Sequence, residues 1–462
     1  MHSLGVTSLR RSYATGEISL SAVINQIYDR IEAYADKAVW IHHIPREEAL
    51  EAAAAILAKY SNGDILPPLY GIPFSIKDSI DIAGIPTTVG CPSYAYTADR
   101  TAPLVQKILE AGGILVGKTN MDQFATGSTG HRSPYGTPRS VFDSDYIPGG
   151  SSSGSAVSVG SGQVSFSIGS DTAGSIRLPA VFNGLVGLKP TLGTISTVGV
   201  VPACKTADCV SVLARSVEDA REVWEVIKGY DEEDVFARPP FPASLAPFSK
   251  TIRFGVPPSE LLSVLSPAYS QLFSQCIDRI CGPKVGFEKA KFDYAPFQSA
   301  NGMLYGSSIV VQRLVAFDDY LKEHGMGQLH PVIRSTFESA SGFDAIRAYQ
   351  DIFELASYKR QAAKQFDKTI NILIVPSTVT HFTVSEVDEN PIGTNKVLGS
   401  FTQFVNLLDL CAVAIPTGSW TNPKGNLMPF GITLIAPPGR DVELMELAAR
   451  VTEYFHADPQ VV

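Results

Sequence analysis

Several things are scarce in this 462-residue chain, and each shortage removes a class of function. Charge is low: 18% of the residues are Asp, Glu, Lys or Arg, and 37 basic against 46 acidic side chains leave a formal net charge of −9. Phosphate contacts need an excess of Lys and Arg, and there is neither an excess nor a basic block, so nucleic acid is not an expected partner. Long apolar runs are missing. No stretch of about eighteen residues is free of charges and turn formers, so no membrane helix is expected. The first eleven residues carry basic side chains, but no apolar run follows them and no secretory leader is read. Cysteine is sparse: Cys91, Cys204, Cys209, Cys276, Cys281 and Cys411. None forms C-x-x-C and none stands at zinc spacing from a histidine, so neither a metal nor a disulfide framework is expected. Scattered, reduced, buried thiols fit a cytoplasmic protein. Internal repeats and low-complexity linkers are also missing.

What is there describes an ordered chain. The hydrophobic fraction of 45% is ample to offset the cost of chain ordering. Val23, Ile24, Ile27 and Ile31 are spaced for a helix within 17–35, and Pro45 opens a second helix over 46–59. Ile72, Phe74 and Ile76 alternate as a strand that delivers Lys77 at its end. A helix follows over 101–111, then a short strand at 114–116. Val164, Phe166 and Ile168 alternate again and run into a tight turn at 169–175. Further strands are read at 372–375, 412–415 and 431–435. Strands alternating with helices predict a layered α/β fold. Residues 230–250, with their prolines, read as a surface connection, and 296–365 as a helical peripheral lobe.

Glycine is ordinary in total, 38 residues, but not in placement. Glycine and serine crowd into 149–175, a stretch that reads as too polar and too small for core. A phosphate loop is excluded, because G-x-x-x-x-G-K-[ST] is missing. The G-x-S-x-G elbow is absent around Ser175. A serine nucleophile needs a base, and none of the eight histidines stands in a recognisable triad context. Lysine is the other base available to a serine, provided burial keeps it neutral near neutral pH. Lys77 is the candidate. Taken singly, Ser151 and Ser175 would be turn residues and Lys77 a surface lysine; it is the family motif in which they stand that points to catalysis.

Gly149-Gly-Ser-Ser-Ser-Gly-Ser-Ala156, Asp171-Thr-Ala-Gly-Ser-Ile-Arg-Leu-Pro179, Gly184-Leu-Val-Gly-Leu-Lys-Pro190 and Gly71-Ile-Pro-Phe-Ser-Ile-Lys-Asp78 together resemble the amidase signature family. The signature covers residues 66–225, and the wider similarity spans nearly the whole chain. The resemblance implies an α/β/α fold in which a large mixed sheet lies between helices, with 1–462 forming one amidase domain. It implies a triad of Ser175 as nucleophile, Ser151 as bridge behind a cis Gly150–Ser151 bond, and Lys77 as base. It also implies an oxyanion hole built from the N–H groups of Thr172, Ala173, Gly174 and Ser175, and a homodimer.

Asn120-Met-Asp-Gln-Phe-Ala-Thr-Gly127, Arg132-Ser-Pro-Tyr-Gly136, Asp388–Gly393 and Phe404–Ala412 resemble the allophanate hydrolase branch of the family. So does Tyr305 with Arg313 eight residues on, a spacing that would set both on one face of a helix. The resemblance implies that Tyr305, Arg313, Ala125 and Gly127 bind the substrate, with Arg313 gripping its carboxylate. It implies a small acid amide as substrate, most closely allophanate, and ammonia as product. The C-terminal domain that processes the product in that branch is not expected within these residues. The chain departs from the branch at Gly127-Ser-Thr-Gly-His131 and at Gly306-Ser-Ser308. Arg177 is expected to form an ion pair near the nucleophile turn. Arg132 and Tyr135 are expected as loop structure, and Asp122, His131 and Cys91 as structural residues. The alternatives are an amidase for another small acid amide, a glutaminase-type amidotransferase subunit, and an inactive scaffold; the intact Lys77, Ser151 and Ser175 speak against the last.

Overall fold

The two strands that the alternation at 72–76 and 164–168 predicts lie side by side in parallel. Phe74, Ser75 and Ile76 stand opposite Phe166, Ser167 and Ile168, and the rings of Phe74 and Phe166 stack at 5.5 Å. This computed structural model describes residues 3–60, 65–241, 248 and 251–456. Part of the surface connection read at 230–250 therefore lies outside the described residues.

In chain order the main sheet is built from β1 (Trp40–His43), β2 (Pro73–Lys77), β3 (Ile114–Thr119), β4 (Phe166–Asp171), β5 (Val186–Lys189), β6 (Cys209–Ala214), β7 (Arg253–Gly255), β8 (Glu288–Lys289), β9 (Ile372–Pro376), β10 (Cys411–Thr421) and β11 (Leu427–Ala436). The eleven strands run across the sheet in the order β1-β3-β2-β4-β6-β5-β10-β11-β9-β7-β8. β2 pairs in parallel with both β3 and β4. From β4 through β6, β5, β10 and β11 to β9 the neighbours are antiparallel. The sheet is mixed and helices cover it in layers, which makes the α/β/α sandwich that the sequence predicts. β2, β4 and β6 are buried along their whole length, as expected for central strands.

The helices expected near 17–35, 46–59 and 101–111 are present as Leu20–Ala33, Arg46–Lys59 and Pro103–Glu110. Residues 296–365 are largely helical, with Ala295–Gly306, Pro331–Ala340 and the long Ala345–Lys368. The strands at 412–415 and 431–435 are the cores of longer ones, β10 and β11, which pair along their length. No helix among the described residues is long and apolar enough to cross a membrane.

The largest correction concerns 149–175. This stretch is core, not surface: Ser151, Ser152, Ser153, Ser155 and Ser158 are all fully buried, and Ser153–Gly160 is a helix. Glycine and serine are poor helix formers, and a helix buried on all sides shows no apolar period. Smallness is what permits the burial. A Cβ on Gly154 would stand 2.2 Å from Val39 O and 2.6 Å from Asn120 N. The buried hydroxyls are satisfied locally: Ser75 Oγ bonds Ser158 Oγ at 3.0 Å and Ser167 Oγ at 2.8 Å, and Ser155 Oγ bonds Thr119 Oγ1 at 2.7 Å.

Candidate active site

β2 and β4 are parallel neighbours, so their carboxyl ends share one edge of the sheet. Lys77 ends β2, and Ser170-Asp171 ends β4. Lys77 is fully buried. Its Nζ donates to Ser151 Oγ at 2.8 Å, to Ser170 Oγ at 3.0 Å and to Ser170 O at 3.4 Å. Ser151 Oγ donates to Ser175 Oγ at 2.9 Å. The three side chains thus form one continuous buried line, and the Gly150–Ser151 peptide bond is cis. Burial pulls the Lys77 amine down from 10.5 to about 7, against the opposing pull of Asp122, Asp208 and Asp171. The donor directions of this line belong to the protonated amine; once neutral, it keeps two hydrogens for Ser170 Oγ and O and turns a lone pair to Ser151, so that the line reverses, with Ser175 donating to Ser151 and Ser151 to Lys77.

The turn that carries Ser175 is held from beneath. Asp171 Oδ1 accepts from Gly174 N (2.9 Å) and Arg177 Nη2 (2.8 Å), and Oδ2 from Ile176 N (3.2 Å) and Arg177 Nε (3.0 Å). Burial alone would raise the Asp171 carboxyl, but the Arg177 guanidinium and these donors hold it at about 2. Arg177 also reaches Thr402 O and Asn406 Oδ1, and Thr402 Oγ1 donates to Ala173 O. Arg177 is therefore the ion-pair partner the sequence suggests. Among the four N–H groups expected to receive an oxyanion, Gly174 is an exception: its N–H is already committed to Asp171. The N–H groups of Thr172, Ala173 and Ser175 take no partner among the described residues. Asp208 braces the far side of the turn, accepting from Thr172 Oγ1 at 2.5 Å and from Ala203 N at 2.8 Å. Asp208, Thr402 and Ser170 were missed in the sequence, because their parts depend on which loops the sheet brings together.

Tyr305 and Arg313 meet, but not on one helix. Tyr305 belongs to Ala295–Gly306 and Arg313 to Gln312–Ala316, with a 3₁₀ turn, Ser308–Val311, between them. Arg313 Nη2 donates to Tyr305 Oη at 3.2 Å, and the guanidinium carbon lies 5.2 Å from the Tyr305 ring centre. Arg313 is 1% exposed, and its Nη1 has no hydrogen-bond partner among the described residues. A buried guanidinium with an unused arm is suited to a carboxylate from a ligand.

A cavity of about 1010 Å³ opens in front of Tyr305, with Thr126, Arg132 and Gln403 also in its wall. Ala125 and Gly127 are not in that wall; Thr126 between them is. The place where a Gly127 side chain would stand is filled by Asp122, 2.5 Å away. Ser175, 3% exposed, lies outside this wall. Arg132 is buried and donates to Thr126 O and Pro391 O. Asp122 accepts from Gly130 N and Arg132 N, and His131 bonds Asp388, so both tie loops together. Cys91 packs in an apolar cluster with Phe124 and Phe317. All six cysteines are free, and all but Cys281 are buried.

Residues 22–445 match the amidase family. The chain is 37% identical over 422 residues to urea amidolyase of Saccharomyces cerevisiae, covering 89% of this chain and 22% of that protein. It therefore spans about a fifth of the length of that relative. It is 30% identical over 491 residues to a glutamyl-tRNA(Gln) amidotransferase subunit of Carboxydothermus hydrogenoformans, covering all of both chains. Among solved structures, allophanate hydrolase of Kluyveromyces lactis superposes with a TM-score of 0.88 at 33% identity, over 99% of this chain and 74% of that one. The sheet, the buried serine–lysine line and these likenesses agree: the chain belongs to the amidase signature family of amide-hydrolysing enzymes.

Proposed function

We propose that the chain releases ammonia from a small amide that carries a carboxylate, with allophanate as the reference substrate, through an acyl-enzyme on Ser175. The observation that carries this reading is the buried line Lys77–Ser151–Ser175, with the amine drawn to about 7. Neutral Lys77 takes a proton from Ser151 as Ser151 takes one from Ser175, and Ser175 Oγ attacks the amide carbon. The N–H groups of Thr172, Ala173 and Ser175 face the developing oxyanion; one such donor contributes about 3–4 kcal/mol to the transition state. The relay then returns a proton to the leaving nitrogen, ammonia departs, and water, activated by the same relay, cleaves the ester. The unused arm of Arg313, beside Tyr305, supports a substrate with a carboxylate.

The end-to-end likeness to an amidotransferase subunit supports a second reading, in which glutamine is the ammonia source. One panel separates the two: ammonia release by the purified chain from allophanate, biuret, malonamate and glutamine. Turnover of allophanate and malonamate far above glutamine is expected; the reverse order would favour the second reading. Ser175→Ala should abolish release in a folded protein, and undiminished turnover would refute the nucleophile assignment.

A further inference from the structure

Neither Ser175 nor Arg313 borders the cavity in front of Tyr305, so an acid as small as allophanate held between them leaves that space unexplained. The cavity, about 1010 Å³, is as large as sites that enclose drug-sized ligands, about 300–1,000 Å³. Helix Ala295–Gly306 keeps it open. Gly302 and Gly306, one turn apart, both border it, and a Cβ on either would meet nothing within 4 Å. Neither glycine has a positive φ or a close backbone neighbour to require it. Glycine is the poorest helix former after proline, so at Gly302 the helix gives up stability while side-chain space beside Tyr305 stays vacant.

The wall also has a sign. Arg132 is 3% exposed, and its guanidinium is bonded to two backbone carbonyls rather than to a carboxylate. Lys396 stands at the exposed mouth, and among the described residues no ion pair engages it. Glu260 is the acidic member of the wall. The Asp122 carboxylate lies close enough to act on the Arg132 cation and accepts from its backbone N–H. The guanidinium hydrogen bonds themselves go to neutral oxygens, and at the edge of an open cavity they suit exchange for an anionic group arriving from it.

We propose that this cavity is a subsite for a chain attached to the acid amide and ending in a second anionic group, which Arg132 meets. The proposal rests on the reading that Tyr305 and Arg313 hold the first carboxylate. It makes the enzyme selective for extended diacid monoamides over the unsubstituted acid, and Gly302 is the residue that admits them.

The test uses three probes: malonamate, malonamate bearing a carboxyethyl chain on its central carbon, and malonamate bearing a propyl chain there. Ammonia release gives kcat/KM for each, and calorimetry gives each affinity for the Ser175→Ala protein, where no turnover intervenes. The carboxyethyl compound should exceed the other two by tenfold or more in both measurements, about 1.4 kcal/mol. Gly302→Phe fills the open space from an exposed helix position and should remove that preference; Gly302→Leu serves in its place if the larger residue lowers the melting temperature. The proposal is overturned if malonamate is the equal or better ligand, if the propyl compound matches the carboxyethyl one, or if the preference survives the filling of Gly302. Hydrolysis of neutral amides in preference to all three acids would instead refute the carboxylate reading beneath it.

Discussion

Lowering the pH should protonate Lys77 inside the folded enzyme and remove the base. The amine sits at about 7, brought down from 10.5 by burial at the end of β2. Below that value the neutral fraction falls tenfold per unit, so at about pH 5 only ~1% of the enzyme has a lone pair to offer Ser151. kcat/KM, which reports the free enzyme, should therefore fall ~100-fold between about pH 7.5 and pH 5, equivalent to about 3 kcal/mol. The assay is ammonia release from malonamate at subsaturating concentration, in buffers of constant ionic strength. The same residue has a thermodynamic signature of known sign. Between the folded value of about 7 and the unfolded value of 10.5, the unfolded chain holds a proton that the folded chain lacks. Stability should rise with pH across that window, by about 5 kcal/mol in total, and be independent of this group below it. Lys77→Met abolishes turnover and also removes this slope, which urea unfolding of the two proteins at several alkaline pH values would reveal. A rate profile that stays flat to about pH 5, or parallel stability curves for the two proteins, would refute the assignment of Lys77 as a buried neutral base.

Two further outcomes follow from the geometry. Arg313→Ala should raise KM for acidic amides ~30-fold, about 2 kcal/mol for a charge-assisted contact, and leave neutral amides nearly unaffected; equal losses for both would sink the carboxylate clamp. Gly154→Ala should destabilise the fold by at least about 3 kcal/mol, because the added carbon would stand 2.2 Å from Val39 O and 2.6 Å from Asn120 N, backbone atoms that cannot step aside. An unchanged urea midpoint for that variant would show that the helix has room the structure does not display.

The central strands were legible because one signal, alternation, was strong: Phe74 and Ile76, then Phe166 and Ile168, point into a core that both strands share. The helix between them was not. Ser153–Gly160 has neither period nor propensity, and its reason for being helical lies in Val39 and Asn120, far away in sequence. Lys77, Ser151 and Ser175 stood out through local spacing and resemblance, but burial of the amine, which draws it toward neutrality, is a property of the packed sheet. Gly174 shows the opposite limit. Its place in the motif suggested a free N–H, and only the folded turn shows that Asp171 has taken it. The spacing of Tyr305 and Arg313 suggested one helix, yet the two side chains meet across a 3₁₀ break.

The anchorage of the Ser175 turn also sets when the site can exist during synthesis. Arg177 is held by Thr402 O and Asn406 Oδ1, 225 and 229 residues downstream, and Asn406 Nδ2 returns to Asp171 O across 235 residues. Contacts so distant in sequence form late, after the intervening chain has been ordered. A ribosome-bound chain that has already made Lys77, Ser151 and Ser175 therefore still lacks the frame that shapes the turn. The turn around Ser175 is complete only once Thr402 and Asn406 have packed against it, so a chain stopped short of them carries the three side chains without their frame.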